Sequence, residues 1–325
     1  TRQFGDTVIL LREVLIEQEK ITDVMLMIRL QFNPETWRHW RPKLVEYPPI
    51  FIVGAPRTGS TVLYQSITNQ ADVLYIDNLV CLFFSNFLFG FWLSNSIFKQ
   101  KAHNCFQSEY GDTSNYGWHA PSECGSFWYR WLPANRHFVD HNEIAIEDIE
   151  EIKVEIAETS NYFKKSIIFK NLNAGQRLRM LVKAFPDAKF IFVRRDPLYT
   201  AQSIIKAKRK LKIPGNQFWS IMPPNVDELK KLDWHEQIVK QIYYIEKQIA
   251  EDLQLFPKQN VYEVNYTELT QEKITELIAQ IDLKKKTMFQ APEIILNEKL
   301  SLPEQEIQLI QNEIKKLDWS QTHVK

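Results

Sequence analysis

The residues best suited to bind an anion lie in a short glycine-flanked loop, Gly54 to Thr61, with the sequence GAPRTGST. The loop follows the apolar run Ile50 to Val53, which predicts a buried strand, and precedes an apolar pattern over 62–68, which predicts a helix. Glycines at both ends of the loop let the backbone curl so that successive N–H groups point inward, and the helix start adds its positive end. The sequence therefore predicts a phosphate-type cradle, the alternative being a plain turn that carries an arginine.

The position of the positive charge separates this loop from the loops of enzymes that hydrolyse ATP or GTP. In those enzymes a lysine follows the second glycine, and the next hydroxyl holds magnesium. Here Ser60 occupies the lysine position, and the cation is Arg57, inside the loop. The later strand over 189–193 ends in two arginines instead of a magnesium-binding carboxylate. The loop thus indicates a ligand whose terminal group differs from that of ATP or GTP, and a site that requires no metal.

The loop resembles the 5′-phosphosulfate loop of sulfotransferases that use 3′-phosphoadenosine-5′-phosphosulfate (PAPS). Its pattern in that family, P-[KR]-[ST]-G-[ST]-T, is matched by Pro56 to Thr61. The resemblance implies that Arg57 contacts the bridging oxygen and the transferring sulfuryl group. It also implies that the 5′-phosphate is held by Thr58, Gly59, Ser60 and Thr61.

A second segment extends the resemblance. The family binds the 3′-phosphate of the donor with an arginine at a strand end and a serine eight residues later, and Arg195 and Ser203 have this spacing. The planar fork of an arginine suits bidentate binding of phosphate oxygens. The alternative is that the arginines at 194–195 are surface ion-pair partners.

A third and shorter match lies at 261–269, where VYEVNYTEL resembles the family segment near the adenine. It makes Tyr266 a candidate neighbour of the base, the alternative being a core tyrosine. Two features depart from the cytosolic small-molecule members: the last glycine is Gly215, so their C-terminal R-K-G-x-x-G loop is absent, and Val62 replaces their adenine-stacking tryptophan. The chain therefore resembles bacterial and tyrosylprotein sulfotransferases more closely.

The residues of the chemical step are implied by the resemblance. Bacterial members carry a carboxylate in a P-x-E segment, sometimes with a histidine just before it, and this pattern identifies Glu123 as the base and His119 as its helper or replacement. Asp77 is a reserve base, because tyrosylprotein sulfotransferases place an acidic residue near there. Lys170 is expected to stabilise the leaving group. The alternatives are a structural ion pair for Glu123 and a strand cap for Lys170.

The elements that must position these residues alternate between strand and helix. Strands are predicted at 50–53, 74–76, 167–169, 189–193 and 261–264, and helices at 8–29, 143–163, 176–185, 200–210 and 233–255. Such alternation predicts an α/β fold in which helices cover both faces of a central parallel sheet, a three-layer sandwich of the P-loop type. We expect one domain over 1–325, composed of a helical lead-in (1–47), a PAPS-binding core (48–270) and a helical C-terminal tail (271–325).

The amino-acid composition limits the classes of partner that this protein is expected to bind. Lys plus Arg and Asp plus Glu number 40 each, so there is no basic excess for nucleic-acid binding. The cysteines, Cys81, Cys105 and Cys124, form no C-x-x-C pair, so we expect neither a disulfide framework nor a cysteine zinc site, and a reducing, cytoplasmic location. The apolar run Leu79 to Leu93 is shorter than the roughly 20 residues of a spanning helix. It predicts a buried helix, a wall of an acceptor pocket, or peripheral contact with a membrane surface.

Together these features predict a sulfotransferase that moves a sulfuryl group from PAPS to a hydroxyl or amine by in-line displacement, giving the product nucleotide PAP. The aromatic segments 83–92 and 118–131 suit apolar chains and sugar rings alike, so the expected acceptor is a glycan, a lipid or another small molecule. The alternatives are a P-loop nucleotide kinase or NTPase, against which Ser60 argues, and a non-catalytic nucleotide-binding protein of the same fold. The sequence leaves the oligomeric state open.

Overall fold

The computed structural model describes residues 44–215, 217–296 and 298–324, and the predicted helix over 8–29 lies outside them. Five parallel strands form one sheet in the order β2-β3-β1-β4-β5. They are β1 (Ile50–Val53), β2 (Leu74–Tyr75), β3 (Ile167–Phe169), β4 (Lys189–Arg194) and β5 (Val261–Asn265). Every predicted strand is present, and the predicted α/β fold with a central parallel sheet is confirmed.

Helices surround this sheet. They are α1 (Ser60–Gln70), α2 (Asn78–Leu82), α3 (Phe87–Phe98), α4 (Gly125–Trp128), α5 (Ile146–Phe163), α6 (Leu178–Ala184), α7 (Pro197–Lys210), α8 (Val226–Leu229), α9 (Trp234–Asp252), α10 (Gln271–Gln280) and α11 (Glu304–Lys315). Helix α7 begins three residues before the predicted start because Asp196 caps it, accepting hydrogen bonds from the N–H groups of Leu198 and Tyr199. Proline at its first position is suited to a helix start.

The strands β1, β3 and β4 are buried on both faces, which explains why they are largely continuous apolar runs, whereas the edge strand β5 is partly exposed. On one face the ring of Phe51 stacks against Phe169 and Phe190, with centroids 5.3 and 5.5 Å apart. This face packs against α5, α6, α7 and α9. The other face presents isoleucines, such as Ile50 and Ile191, to α1 and α10. Because all five strands are parallel, their carboxyl ends lie at the same end of the sheet, between the two layers of helices.

The predicted C-terminal tail contains α10 and α11, with no helix among the described residues from 282 to 303. In that segment the side chain of Gln202 accepts from the N–H groups of Ser301 and Leu302 and donates to the carbonyl of Lys299. These bonds satisfy backbone groups that a helix would otherwise pair. Both tail helices contribute buried residues to the core, so this region is an integral part of the fold.

The apolar run 79–93 folds as two helices instead of one. Asp77 caps α2 by accepting from the N–H of Val80, and Asn86 caps α3 by accepting from that of Phe89. About half of the run is buried, including Leu79, Val80 and Phe91, whereas Leu82 is exposed and lines a cavity described below. Within the described part of the chain, no helix combines the length and the apolar character needed to cross a membrane.

The cysteine prediction was wrong in one respect, because Cys81 and Cys124 form a disulfide. The bond joins the end of α2 to the residue that precedes α4. The partners are 43 residues apart, so only the fold brings them together, and a search for closely spaced pairs misses them. The third cysteine, Cys105, is free.

Reduction of the disulfide is expected to lower the free energy of unfolding. Closing a loop of 43 residues restricts the unfolded chain by about 4 kcal/mol in the chain-entropy estimate. Denaturant unfolding of the wild type and of Cys81→Ser, each with and without a dithiol reductant, measures the effect. Cys105→Ser is the matched control, which should keep the wild-type response to the reductant. Equal midpoints for the oxidised and reduced wild type would contradict the prediction.

Candidate active site

The loops that follow β1, β3, β4 and β5 meet around a cavity of about 340 Å3, called here the donor cavity. Open α/β sheets bind ligands in this position, beyond the carboxyl ends of their strands. Its lining combines the loop after β1 with Glu123, from the segment before α4, and with residues that follow β3, β4 and β5: Arg57, Gly59, Ser60, Thr61, Glu123, Lys170, Asn171, Arg195 and Tyr266. The structure thus brings most of the predicted site residues together.

The anion loop has the predicted form. Gly59 precedes α1 with φ of 91°, in the left-handed region that favours glycine, and a β-carbon there would lie 2.7 Å from the ring of Tyr266. The first N–H groups of α1, including those of Ser60 and Thr61, have no partner within the helix and line the cavity. The hydroxyl of Thr58 is fully buried and donates to the carbonyl of Ala55 at 2.9 Å. Thr58 therefore shapes the loop from behind.

The two predicted anchors are in direct contact. Nε of Arg57 donates to Oγ of Ser203 at 3.0 Å, and Nη1 of Arg195 donates to the carbonyl of Arg57 at 3.2 Å. The guanidinium of Arg195 lies 4.0 Å from the centre of the Tyr266 ring. Burial lowers the pKa of Arg57, and the charge of Arg195 lowers it further, but an arginine stays protonated at neutral pH. Two neighbouring cations and the start of a helix make this cavity selective for anions.

Glu123 and Lys170 form an ion pair in the wall of the donor cavity. Lys170 follows β3 and is only 3% exposed, whereas the Glu123 side chain is about one-third exposed, at 34%. The backbone carbonyl of Glu123 also accepts a bond from Asn171 at 3.4 Å. The structure therefore places an accessible carboxylate and a buried ammonium together in the wall of this cavity.

The structure does not bring His119 or Asp77 to this cavity. They bond to each other, with Nδ1 of His119 2.9 Å from Oδ2 of Asp77, and they line a separate cavity of about 50 Å3. Asp77 is 1% exposed and also accepts from the N–H of Val80 and the hydroxyl of Ser94. It pairs through its backbone with Pro121, so this network holds the segment that leads to Glu123.

A second cavity, of about 670 Å3 and called here the acceptor cavity, adjoins the first. The two share Tyr110, Glu123 and Gly125. The lining of the second is apolar in part and includes Leu82, Phe84, Trp118 and the disulfide cysteines. A carboxylate therefore lies where the two cavities meet.

Several lining residues were not predicted: Tyr110, Gly111, Asn171 and Trp219. Tyr129, which lines the donor cavity, lies in the aromatic segment 118–131 that was predicted to suit an acceptor. Asn171 follows Lys170 after β3. Because it comes directly after a predicted strand, the sequence could have identified it as a candidate lining residue. The others lie in irregular or short segments without periodicity, where composition indicates a loop but does not show which side chains face inward.

Comparison with known proteins agrees with this geometry. The Sulfotransferase family profile matches residues 48–282, which include both anchors. Two curated relatives, each named omega-hydroxy-beta-dihydromenaquinone-9 sulfotransferase Stf3, come from Mycobacterium bovis and Mycobacterium tuberculosis. Both are 27% identical over 242 residues, a match that covers 68% of this chain and 58% of the relative. The chain therefore spans less than two-thirds of their length.

Solved structures give weaker similarity. The sulfotransferase STF9 from Mycobacterium avium aligns with a TM-score of 0.46 and 15% identity, over 89% of this chain and 72% of that one. STF1 from Mycobacterium tuberculosis aligns with a TM-score of 0.44 and 12% identity, over 89% and 79%. Because the family profile matches well over half of the chain, this protein belongs to the sulfotransferase family.

Proposed function

We propose that the protein transfers a sulfuryl group from PAPS to the hydroxyl of a small, largely apolar acceptor, and that it needs no metal to do so. The observation that carries the proposal is the convergence of Arg57, Arg195 and Tyr266 on one cavity, with Ser203 bonded to Arg57. These residues lie far apart along the chain, and the bond between Arg195 and Arg57 alone joins residues 138 positions apart. Each supplies a group that this donor requires. No comparable observation favours a kinase, because Ser60 occupies the position of the phosphate-binding lysine.

The donor is held at both of its phosphates. The N–H groups at the start of α1, together with the hydroxyls of Ser60 and Thr61, bind the 5′-phosphate. Arg195 and Ser203 bind the 3′-phosphate, and the Tyr266 ring, which already stacks on Arg195, lies beside the adenine. This arrangement leaves the sulfuryl group next to Arg57 and the Glu123–Lys170 pair, all of which line the same cavity.

The reaction is an in-line displacement at sulfur. The acceptor hydroxyl attacks the sulfur while its proton passes to Glu123, and the bond from sulfur to the bridging oxygen breaks. The electron pair of that bond stays on the 5′-phosphate of PAP, where Arg57 and Lys170 stabilise the added charge. Protonation of Glu123 weakens its attraction for Lys170 as charge develops on the leaving group, so the lysine becomes free to interact with that group.

The acceptor binds in the larger cavity, with its hydroxyl at Glu123. Two features favour a lipid-like acceptor: the apolar wall formed by Leu82, Phe84 and Trp118, and the curated relatives, which are named for omega-hydroxy-beta-dihydromenaquinone-9. A site of this volume accepts part of an apolar chain and leaves the rest outside. A glycan or an amine acceptor is the alternative that an acceptor screen with labelled PAPS tests.

Donor recognition is tested by calorimetry with PAP, and with ATP as the comparison ligand, in metal-free buffer. We expect PAP to bind far more tightly than ATP. Arg195→Ala should weaken PAP binding about 10- to 100-fold, because a charge-assisted hydrogen bond contributes about 1.5–3 kcal/mol. Arg209→Ala, which removes an exposed cation of α7, the helix that follows Arg195, should leave the affinity unchanged. Equal affinity for ATP and PAP, or full affinity in Arg195→Ala, would contradict the proposed donor site.

A further inference from the structure

Tyr110 lies in a short turn, Glu109 to Asp112, beside both the donor and the acceptor cavity. Tyr110 lines both cavities, as Glu123 does. An acceptor hydroxyl that approaches the donor therefore passes between this tyrosine and the proposed base. Neither the family resemblance nor the reaction described above assigns a role to Tyr110.

The backbone around Tyr110 is a tight turn. The N–H of Glu109 donates to the carbonyl of Asp112 at 2.8 Å, and the N–H of Asp112 donates back to the carbonyl of Glu109 at 3.0 Å. The two residues between them, Tyr110 and Gly111, have φ of 54° and 99°. This is the pattern of a two-residue hairpin turn, for which positive φ is required at both central positions. A tyrosine is unusual there and carries backbone strain, which is often found at functional sites.

The turn lies directly against the catalytic pair. A β-carbon added to Gly111 would lie 2.6 Å from Oε1 of Glu123 and 3.3 Å from Nζ of Lys170. Only a glycine lets the backbone approach this closely. The turn therefore covers the ion pair and, at the same time, directs the side chain of Tyr110 toward the donor loop.

The ring of Tyr110 contacts the cation that binds the sulfuryl group. The guanidinium of Arg57 lies 5.4 Å from the ring centre, and Nζ of Lys210 lies 5.3 Å from it. The ring also meets Trp219, edge to face, with centroids 5.7 Å apart. Both distances from the cations are within the range of cation–π attraction. Tyr110 thus connects the donor loop with the segment around Trp219, which lines the donor cavity as well.

We propose that Tyr110 is a positioning residue that couples donor cleavage to acceptor binding. Its ring holds Arg57 against the sulfuryl group and closes the side of the donor cavity through which water would reach the sulfur. This inference rests on the proposed function. Without the ring, water replaces the acceptor hydroxyl as the attacking group. The sulfur–oxygen bond of PAPS then breaks to give PAP and free sulfate, and the proton of the water passes to Glu123.

The contacts that support this role are made by the aromatic ring. The phenol oxygen is therefore dispensable, so Tyr110→Phe should behave as the wild type does and Tyr110→Ala should not. This pair separates a role for the ring from a role for the hydroxyl. Tyr116→Ala is a matched control, because Tyr116 lies in the same loop, is exposed and lines neither cavity.

The test measures PAP formation by the full chain from PAPS alone, and PAP and sulfated product when a medium-chain primary alcohol is the acceptor probe. In Tyr110→Ala we expect product formation to fall about 10- to 100-fold. The amount of PAP formed per sulfated product should rise at least several-fold, while the affinity for PAP stays within a few-fold of the wild-type value. Retained affinity for PAP shows that the variant is folded.

Two outcomes would overturn this inference but not the proposed function. In the first, Tyr110→Ala forms the same amount of PAP per sulfated product as the wild type. In the second, this amount rises in Tyr110→Phe as much as it does in Tyr110→Ala. Failure of the wild-type chain to bind PAP would instead overturn the proposed function and this inference with it. Transfer to the alcohol by the wild type, measured in the same experiment, distinguishes the two cases.

Discussion

Replacing Arg57 with alanine is expected to reduce sulfuryl transfer by on the order of 10²- to 10³-fold in kcat, the usual loss when a preorganised donor to transition-state charge is removed. Arg57 is the cation that we propose contacts the sulfuryl group, and burial makes its field stronger than that of a surface charge. The substitution also removes the 3.0 Å bond to Ser203, so the second anchor loses a partner. Steady-state formation of labelled product, at saturating PAPS, measures the loss.

Arg57→Lys and Arg209→Ala are the controls for this experiment. The family pattern accepts lysine at the position of Arg57, so Arg57→Lys should retain more activity than Arg57→Ala, although a lysine lacks the Nε group that bonds to Ser203. Arg209 is an exposed cation, paired with Glu306, whose removal should not change kcat. Turnover of Arg57→Ala within tenfold of the wild-type value would exclude the assigned role.

The strands could be predicted from the sequence because each is a short apolar run that can be identified locally. Their order in the sheet could not, since the pairing of β1 with both β3 and β4 joins segments more than 100 residues apart. The anion loop could also be predicted from a short stretch of sequence, because its glycines and its place between a strand and a helix define its geometry. The contact between Arg57 and Ser203, in contrast, was not predicted, because the family resemblance identified both residues but assigned them to different parts of the donor.

The residues around Glu123 show what cannot be predicted from the local sequence alone. His119 and Glu123 are four positions apart, yet His119 bonds to Asp77 and Glu123 bonds to Lys170 in a different cavity. The segment between them has no helical or strand period, so sequence distance does not tell which way each side chain points. The disulfide of Cys81 with Cys124 was missed for the same reason, because it depends on how α2 packs against this loop.

Nothing in the sequence around Tyr110 predicted a functional role for this residue. Its role follows from two contacts made in the folded protein, the ring against Arg57 and the neighbouring Gly111 against Glu123. A tyrosine followed by a glycine is common in loops. Only its unusual positive φ and its place between two cavities distinguish it.

Glu123→Gln is expected to lower kcat for an alcohol acceptor by about 10²- to 10⁴-fold, the range for loss of a general base, while the affinity for PAP remains close to that of the wild type. Glutamine keeps the size of the side chain but does not accept the proton. Glu109→Gln is the matched control, because Glu109 is an exposed carboxylate of the same loop, paired only distantly with Lys210 at 3.7 Å. Its activity should be unchanged.

The ion pair with Lys170 requires a further comparison, because Glu123→Gln also leaves a buried ammonium without its carboxylate. A purely structural role would lower activity toward every acceptor by the same factor, together with the stability. A base is needed only when the acceptor holds its proton tightly. An acidic phenol, already ionised at neutral pH, should therefore retain most of its sulfation rate in Glu123→Gln, whereas the alcohol loses it. Equal losses for the phenol and the alcohol would assign Glu123 to the structure of the site and leave the proton acceptor to be sought elsewhere along the same cavity.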